Sequence, residues 1–367
     1  MYTYNKFGSR NSTKLNLSTS NSTKSSVSQS SHRMEKPSNN STTQVELDYC
    51  NNYVHTGIPA SKYIRNVNNP IEGYPKLAKL HQLKKQQIRK HALKPYGCRV
   101  PSDRIIPTLN KWIEVYGLKF DVIMIGALVE NQFILPILNN IPIYKLCSKP
   151  GFLFIWSTTQ KIQELTKLLN NDNFNKKFRR SEELIFLAID KKSPYYPGDF
   201  GGGTDLESLP LFERQQWHCW MCITGTVRRS TDNHLIHCNV DTDLQIESPS
   251  NKQKSANAVP EAIYRVAENF SNSNRRLHLI PSKLGYDTPI KLRPGWVIMG
   301  PDVLINNFDP VSYNEELYSK SMIKYKQVGV GGQGAGGYNN VTTQFLVPQT
   351  TEIEDLRPKS PTTISAK

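Results

Sequence analysis

Six short runs of β-branched and aromatic residues constrain what this chain can fold into. They are FDVIMIGAL (120–128), GFLFIW (151–156), ELIFLAI (183–189), HCWMCITGTV (218–227), RLHLIP (276–281) and GWVIMGP (295–301). The first two are continuously apolar, as expected of strands covered on both faces. Segments of helical period lie between several of them, most clearly Thr159 to Asn170 and Pro260 to Phe270. Strands alternating with helices predict an α/β fold: a mostly parallel sheet with helices on both faces. The stretch GTVRRSTDNHLIHCNVDTDL departs from the alternation and reads as a local hairpin turning at Asp232-Asn233.

Two helices are expected upstream. Pro75 suits a first helical turn, and Leu77, Leu80, Leu83 and Ile88 form a loose apolar stripe, interrupted by Lys84, over Pro75 to Leu93. A second helix is expected over Ile106 to Tyr116. Residues 1–45 are dominated by Ser, Thr and Asn with almost no large aliphatics, the composition of a disordered tail. Residues 46–105 read as a mixed, then basic and helical, extension, and 106–312 as the sheet domain. The apolar signal fades after Pro301. Residues 313–367, Gly-rich at 326–341 and Pro-punctuated at the end, read as a flexible tail.

Charge is uneven. The chain carries 46 Lys and Arg against 31 Asp and Glu, a net +15. Nine of those cations fall in residues 75–104 with one acid, Asp103, so 9 − 1 gives +8 there. A block of that density suits a polyanion, most often nucleic acid, through counterion release. An import signal or a merely solvated basic helix would look the same. The six cysteines follow no signal peptide, and no apolar run has the roughly 20 residues of a membrane helix. They read as reduced thiols of a cytosolic or nuclear protein without a membrane partner.

Several local motifs do not support a site. Gly329-Val330-Gly331-Gly332-Gln333-Gly334 matches a dinucleotide fingerprint but lacks the flanking strand and helix that would bring a helix N-terminus to a pyrophosphate. Cys219 and Cys222, followed by His234 and His237, approach a zinc-finger spacing. The cysteines lie in an apolar strand-like run, where residues three apart point to opposite faces, so no metal site is expected. Asp241 and Asp243 share a strand face without an acid–base partner.

The blocks FDVIMIGALV, FLFIW, FRRSEELIF, HCWMCITGTVRRSTDNHLIHCNVDTDL, RRLHLIP and RPGWVIMGP occur in the order seen in the mRNA N(6)-adenosine methyltransferase family, which this chain resembles. DYCNNYVHTG, YIRNV and EGYPKLAKL resemble its non-catalytic branch, of the methyltransferase-like fourteen type, and the terminal LRPKSP resembles that branch's karyogamy-associated form. The resemblance covers about residues 48–312 plus that tail, and implies a Rossmann-like methyltransferase sheet. Active members place Asp-Pro-Pro-Trp after the strand that is FDVIMI here; this chain has Gly126, Ala127, Leu128 and Val129. The motif holds the adenine amino group for attack on the methyl donor, and such positioning carries many kcal/mol of a barrier. Glu130, nearby, reads as a helix N-terminal acid. Active members also carry a His-Asn pair that helps hold S-adenosylmethionine; here that region is Tyr286 to Arg293.

The resemblance therefore implies a pseudo-methyltransferase without a cofactor, paired with an active mRNA adenosine methyltransferase paralogue and contributing RNA contacts. The nucleus is the expected location, with the cytoplasm as a second. Arg179, Arg180, Arg228 and Arg229 match the family's basic pairs lining an RNA-backbone groove. Alternatively, Arg179 pairs with Glu182 or Glu183 and the hairpin pair is solvated. The resemblance also implies a second role, a transcriptional cofactor working with a DNA-binding factor to induce karyogamy and meiotic genes.

Overall fold

The computed structural model describes residues 75–128, 139–158, 165–167, 177–189, 193, 195, 217–227, 232, 234–236, 244–247, 259–281, 290–328 and 340–357. The expected N-terminal tail, most of the Thr159 to Asn170 helix, the glycine fingerprint, Asp241, Asp243, Val129, Glu130, Tyr286, Arg228 and Arg229 lie outside these residues.

An eight-stranded sheet carries the fold. Its strands are β1 (Tyr96–Arg99), β2 (Phe120–Ile125), β3 (Cys147–Thr158), β4 (Phe178–Leu187), β5 (Trp217–Thr224), β6 (Leu244–Ile246), β7 (Arg276–Leu279) and β8 (Val297–Gly300). The spatial order is β1-β8-β7-β2-β3-β5-β4-β6. All pairings are parallel except those of β5, which runs antiparallel to both β3 and β4. This is the mostly parallel α/β sheet that the alternating pattern predicts.

Period-two alternation on strands buried on both sides produces two cores. Val122 and Met124 of β2 face one cluster; Phe120, Ile123 and Ile125 face the other. The described helices are α1 (Pro75–His91), α2 (Ile105–Tyr116), α3 (Ile143–Leu146), α4 (Glu261–Phe270), α5 (Pro310–Lys320) and α6 (Thr351–Leu356). Helix α4 supplies Ile263, Tyr264, Val266, Ala267 and Phe270 to the first core. On the opposite face, α2 supplies Ile105, Leu109 and Trp112, an i, i+4, i+7 stripe, and α5 supplies Tyr313 and Leu317. Helix α2 ends where Gly117 takes φ +61°, its N–H donating to Ile113 O at 3.2 Å while Leu118 N–H reaches Trp112 O at 3.0 Å. Helix α5 begins at an Asp309 cap that accepts from Ser312 N at 2.8 Å, with Pro310 in the first turn.

Two expectations are corrected. Residues 313–367 are not simply a flexible tail. They contain most of α5, the antiparallel pair β9 (Met322–Val328) and β10 (Asn340–Leu346), and α6, with Phe345, Leu346, Val347 and Ile353 buried. Backbone bonds from Asn274 N to Phe345 O (2.8 Å) and from Val347 N to Asn272 O (2.9 Å) stitch this segment to the lead-in of β7. The basic extension is likewise tied in: β1 is an edge strand of the sheet, and α1 packs Leu77 and Leu80 on Ile353 of α6. All described residues belong to one compact unit, 47–367. The expected hairpin turning at Asp232-Asn233 falls mostly on residues outside the described set. Leu244–Ile246 pairs in parallel with β4, because the antiparallel neighbours of β5 are already β3 and β4.

Candidate functional site

In an open α/β sheet, ligands bind beyond the carboxyl ends of the strands where the winding direction reverses. Here the chain moves from β2 to β3 on one side and later places β7 and β8 on the other. The reversal lies between β2 and β7, and Gly126 follows β2 at that place. It takes φ +84°, and a Cβ there would stand 2.9 Å from Trp156 O, so the position requires glycine on two counts. Its N–H donates to Leu279 O at 2.9 Å, holding the end of β2 against β7.

The Gly126 carbonyl is also engaged. His278 Nε2 lies 2.6 Å from it, and His278 Nδ1 lies 2.8 Å from the Tyr264 hydroxyl. A carbonyl can only accept, so Nε2 carries the proton and Nδ1 accepts from the tyrosine O–H. Burial holds the imidazole down at about 4, against a smaller opposing effect of its bond to Gly126, so the ring is neutral. Burial likewise raises the Tyr264 phenol. Ala127 and Leu128 then turn into the apolar core, with Ile280 on the β7 side equally buried. The reversal point thus presents no ionisable side chain from Gly126 to Leu128.

The neutral histidine has a pH consequence. Its folded-state value lies below the ordinary imidazole value near 6.5, so the unfolded chain binds the proton more readily. The stability contribution is complete above about pH 6.5 and is lost as pH falls towards about 4, on the order of 2 kcal/mol of it between pH 7 and pH 5. Denaturant titrations at the two pH values should show a His278→Phe chain losing that much less than the parent. Equal losses in both would remove His278 as the cause.

Behind the reversal point, Arg293 clamps Glu268 of α4 with two bonds of 2.7 Å, and Trp296 Nε1 donates to the same carboxylate at 2.8 Å. Of the region expected to differ from active members, the described part thus serves the core: Ile290 is buried and Arg293 is held by an acid.

Among the four candidate arginines, Arg179 and Arg180 lie on β4, beside the antiparallel partner β5, and both are exposed. The Arg180 guanidinium stacks 4.7 Å from the Trp220 ring. Glu183 is taken by His218, whose Nδ1 lies 2.8 Å from it, rather than by Arg179. Both arginines are therefore presented to solvent at one end of β4. The zinc-like spacing resolves as follows: Cys219 belongs to one core and Cys222 to the other, so their sulfurs lie on opposite sheet faces, and His234 Nε2 bonds Gln344.

The MT-A70 family profile matches residues 124–302, from the end of β2 past β8. The karyogamy protein KAR4 of Saccharomyces cerevisiae is 53% identical over 332 residues, 90% of this chain and 89% of that protein. This chain belongs to the MT-A70 family. It is also similar to proteins named as the N(6)-adenosine-methyltransferase non-catalytic subunit METTL14. The Drosophila melanogaster protein is 30% identical across 86% of this chain and 72% of its own length; that of Danio rerio is 31% identical across 86% and 62%. These matches extend well beyond the family profile, consistent with α1, β1 and the C-terminal elements being parts of one fold.

Sequence reasoning missed the His278–Tyr264 network and the Glu268 clamp. His278 and Glu268 stand inside a strand run and a helix with no motif around them. Their spacing to Gly126 and Arg293 is set by strand order and helix packing.

Proposed function

We propose that this chain is a non-catalytic MT-A70 subunit that pairs with an active mRNA N(6)-adenosine methyltransferase, supporting its assembly and its hold on RNA. The observation that carries this reading is the geometry after β2. Where the family resemblance puts Asp-Pro-Pro-Trp, this chain has a glycine whose carbonyl is bonded to a neutral histidine, followed by two buried aliphatics. The described residues there do not fit S-adenosylmethionine presented for transfer: no side chain from Gly126 to Leu128 can hold the adenine amino group or face a sulfonium. The names of the METTL14 relatives support the same reading. A sheet without catalytic groups acts through a surface, and a lasting partner interface buries on the order of 2,000 Å² or more.

The test is reconstitution. The chain alone should transfer no labelled methyl group to RNA, and co-expression should raise the solubility and activity of the active paralogue. A paralogue fully soluble and active without this chain would overturn the proposal.

RNA contact is assigned to Arg179, Arg180, Arg228 and Arg229. Arg228→Ala with Arg229→Ala should weaken RNA binding by the complex similarly across sequences, because phosphate contacts carry no sequence information. The salt dependence should flatten by roughly 0.7 in slope for each phosphate no longer neutralised. Filter binding across a salt series, beside size-exclusion of the mutant dimer, separates the outcomes. An unchanged slope removes these residues from the groove, and a dissociated dimer moves them to the interface. Arg179→Ala is the cleaner variant on β4, since Arg180→Ala also strips a guanidinium from Trp220.

A second reading on the same scaffold is favoured by the similarity to a karyogamy protein: a cofactor for a DNA-binding transcription factor in mating and meiotic gene expression. We place either activity in the nucleus. Isolating the native partners discriminates them, since a methyltransferase paralogue supports the first and a DNA-binding activator the second.

A further inference from the structure

The solvent face of α1 is a cationic surface that neither the switch-point geometry nor the β4 arginines use. The helix buries Leu77, Leu80 and Lys84 along one side, and Leu77 and Leu80 pack with Ile353, joined by Leu83 and Leu356. At about 100° per residue, Lys79, Lys85, Arg89 and Lys90 fall in the opposite half-turn together with Gln82 and Gln86, with Lys76 just beyond its edge, and all seven are exposed. No acid occurs anywhere in the helix. Lys79 has Glu352 as an ion-pair partner at 2.5 Å. The helix macrodipole explains cations in the last turn but disfavours Lys76 in the first, so the charge pattern is not a capping pattern. Past the helix end, Lys320 Nζ donates to Ala92 O at 2.8 Å and pairs with Glu316 at 2.7 Å, while burial, then the Lys90 charge, hold His91 below its ordinary value against a raising hydrogen bond at Lys320.

We propose that the outer face of α1 is a second docking surface for the backbone of single-stranded RNA, distinct from the four arginines. This rests on the RNA-binding part of the function proposed above and adds a surface to it. Three features favour RNA. The cations run along about 21 Å of rigid helix from Lys76 to Lys90, which suits a strand of successive phosphates. Their release of counterions gives a favourable contribution that isolated surface ion pairs to an acidic protein do not. The helix has already spent its leucines on α6, so its outward face offers no apolar groups for insertion into a lipid surface. Gln82 and Gln86 add uncharged donors for sugar and phosphate oxygens.

The experiment compares the full chain with its Lys85→Gln/Arg89→Gln/Lys90→Gln variant by fluorescence anisotropy on a labelled single-stranded RNA of mixed sequence, from about 50 to 200 mM salt. The slope of log affinity against log salt should become shallower by about 2, at roughly 0.7 for each phosphate the three side chains neutralise. A control variant, Lys111→Gln/Lys119→Gln, neutralises two exposed cations elsewhere and should leave the slope near that of the parent. If the triple variant is unfolded by circular dichroism, Lys85→Gln and Arg89→Gln are measured singly, each expected to lower the slope by about 0.7. An unchanged slope in a folded variant overturns the proposal, as does an equal loss per charge in the control. So does binding to phosphatidylserine vesicles that is abolished in the variant while its RNA slope stays intact. Should the parent chain fail to bind RNA at all, the RNA part of the proposed function falls with it. Should the parent bind and the arginine variants alone weaken it, only the α1 surface is wrong.

Discussion

Asp121→Ala should release the C-terminal β9–β10 segment of this molecule and lower its stability by about 3 to 5 kcal/mol, the cost of stranding one member of a buried ion pair. Asp121 is 1% exposed, and its carboxylate accepts from Arg275 at 2.5 and 3.0 Å and from Ser273 Oγ at 2.6 Å. The same guanidinium donates to Ser148 Oγ at 3.0 Å and to Thr343 O at 2.8 Å, and stacks 4.7 Å from the Phe345 ring. Burial works against the Arg275 charge, but Asp121 outweighs it and the guanidinium is held above its ordinary value. One cation thus joins β2, β3 and the approach to β7 to the β9–β10 pair. Without Asp121 it stays buried and charged beside an apolar ring. Domain stabilities are only about 5 to 15 kcal/mol, so the loss is a large share. Denaturant melts would measure the total, and hydrogen exchange should find β10 amides exposed first. A loss under about 1 kcal/mol would contradict this account of how the C-terminal segment is anchored.

Glu268→Ala should be comparably damaging, by about 3 to 5 kcal/mol, for a different reason. Glu268 receives Arg293 and Trp296, and it is also the acid whose charge acts most on Arg276. Arg276 is 1% exposed, and none of its guanidinium nitrogens has a hydrogen-bond partner among the described residues. Burial lowers its basicity, and Glu268 is first among the charges opposing that. Removing Glu268 leaves the buried Arg276 without the acid that acts most on it, beside an Arg293 that is half-buried and still paired with Glu261. Adding Arg276→Met to Glu268→Ala should therefore recover part of the loss, because a stranded cation is replaced by an apolar chain of similar length. Thermal melts of the single and double variants decide it. A double variant less stable than Glu268→Ala alone would mean that Arg276 contributes through groups other than this acid.

The strand runs and their alternation with helices were enough to specify the α/β class and most of the sheet, since a strand buried on both faces leaves a continuous apolar signature within a few residues. The family could be read from ordered blocks for the same local reason. The short β1 was not legible: Tyr-Gly-Cys-Arg has no length to show a period, and it becomes a strand because β8 offers a free parallel edge. The C-terminal elements were not legible either. Their apolar residues are sparse and interleaved with Lys, Thr and Gln, and they are ordered by partners far away in the chain, Asn274 and Arg275 for β10 and Leu77 and Leu80 for α6.

The candidate site divides along the same line. That Gly126, Ala127 and Leu128 carry no acid, proline or aromatic ring is a property of the sequence alone, because side-chain chemistry is fixed by residue identity. That Gly126 stands at the winding reversal, that its carbonyl is held by a neutral His278, and that Ala127 and Leu128 face the core were decided by the tertiary structure. Strand order brings residues 126 and 278 together, and burial, which no local pattern encodes, sets the protonation of the ring between them.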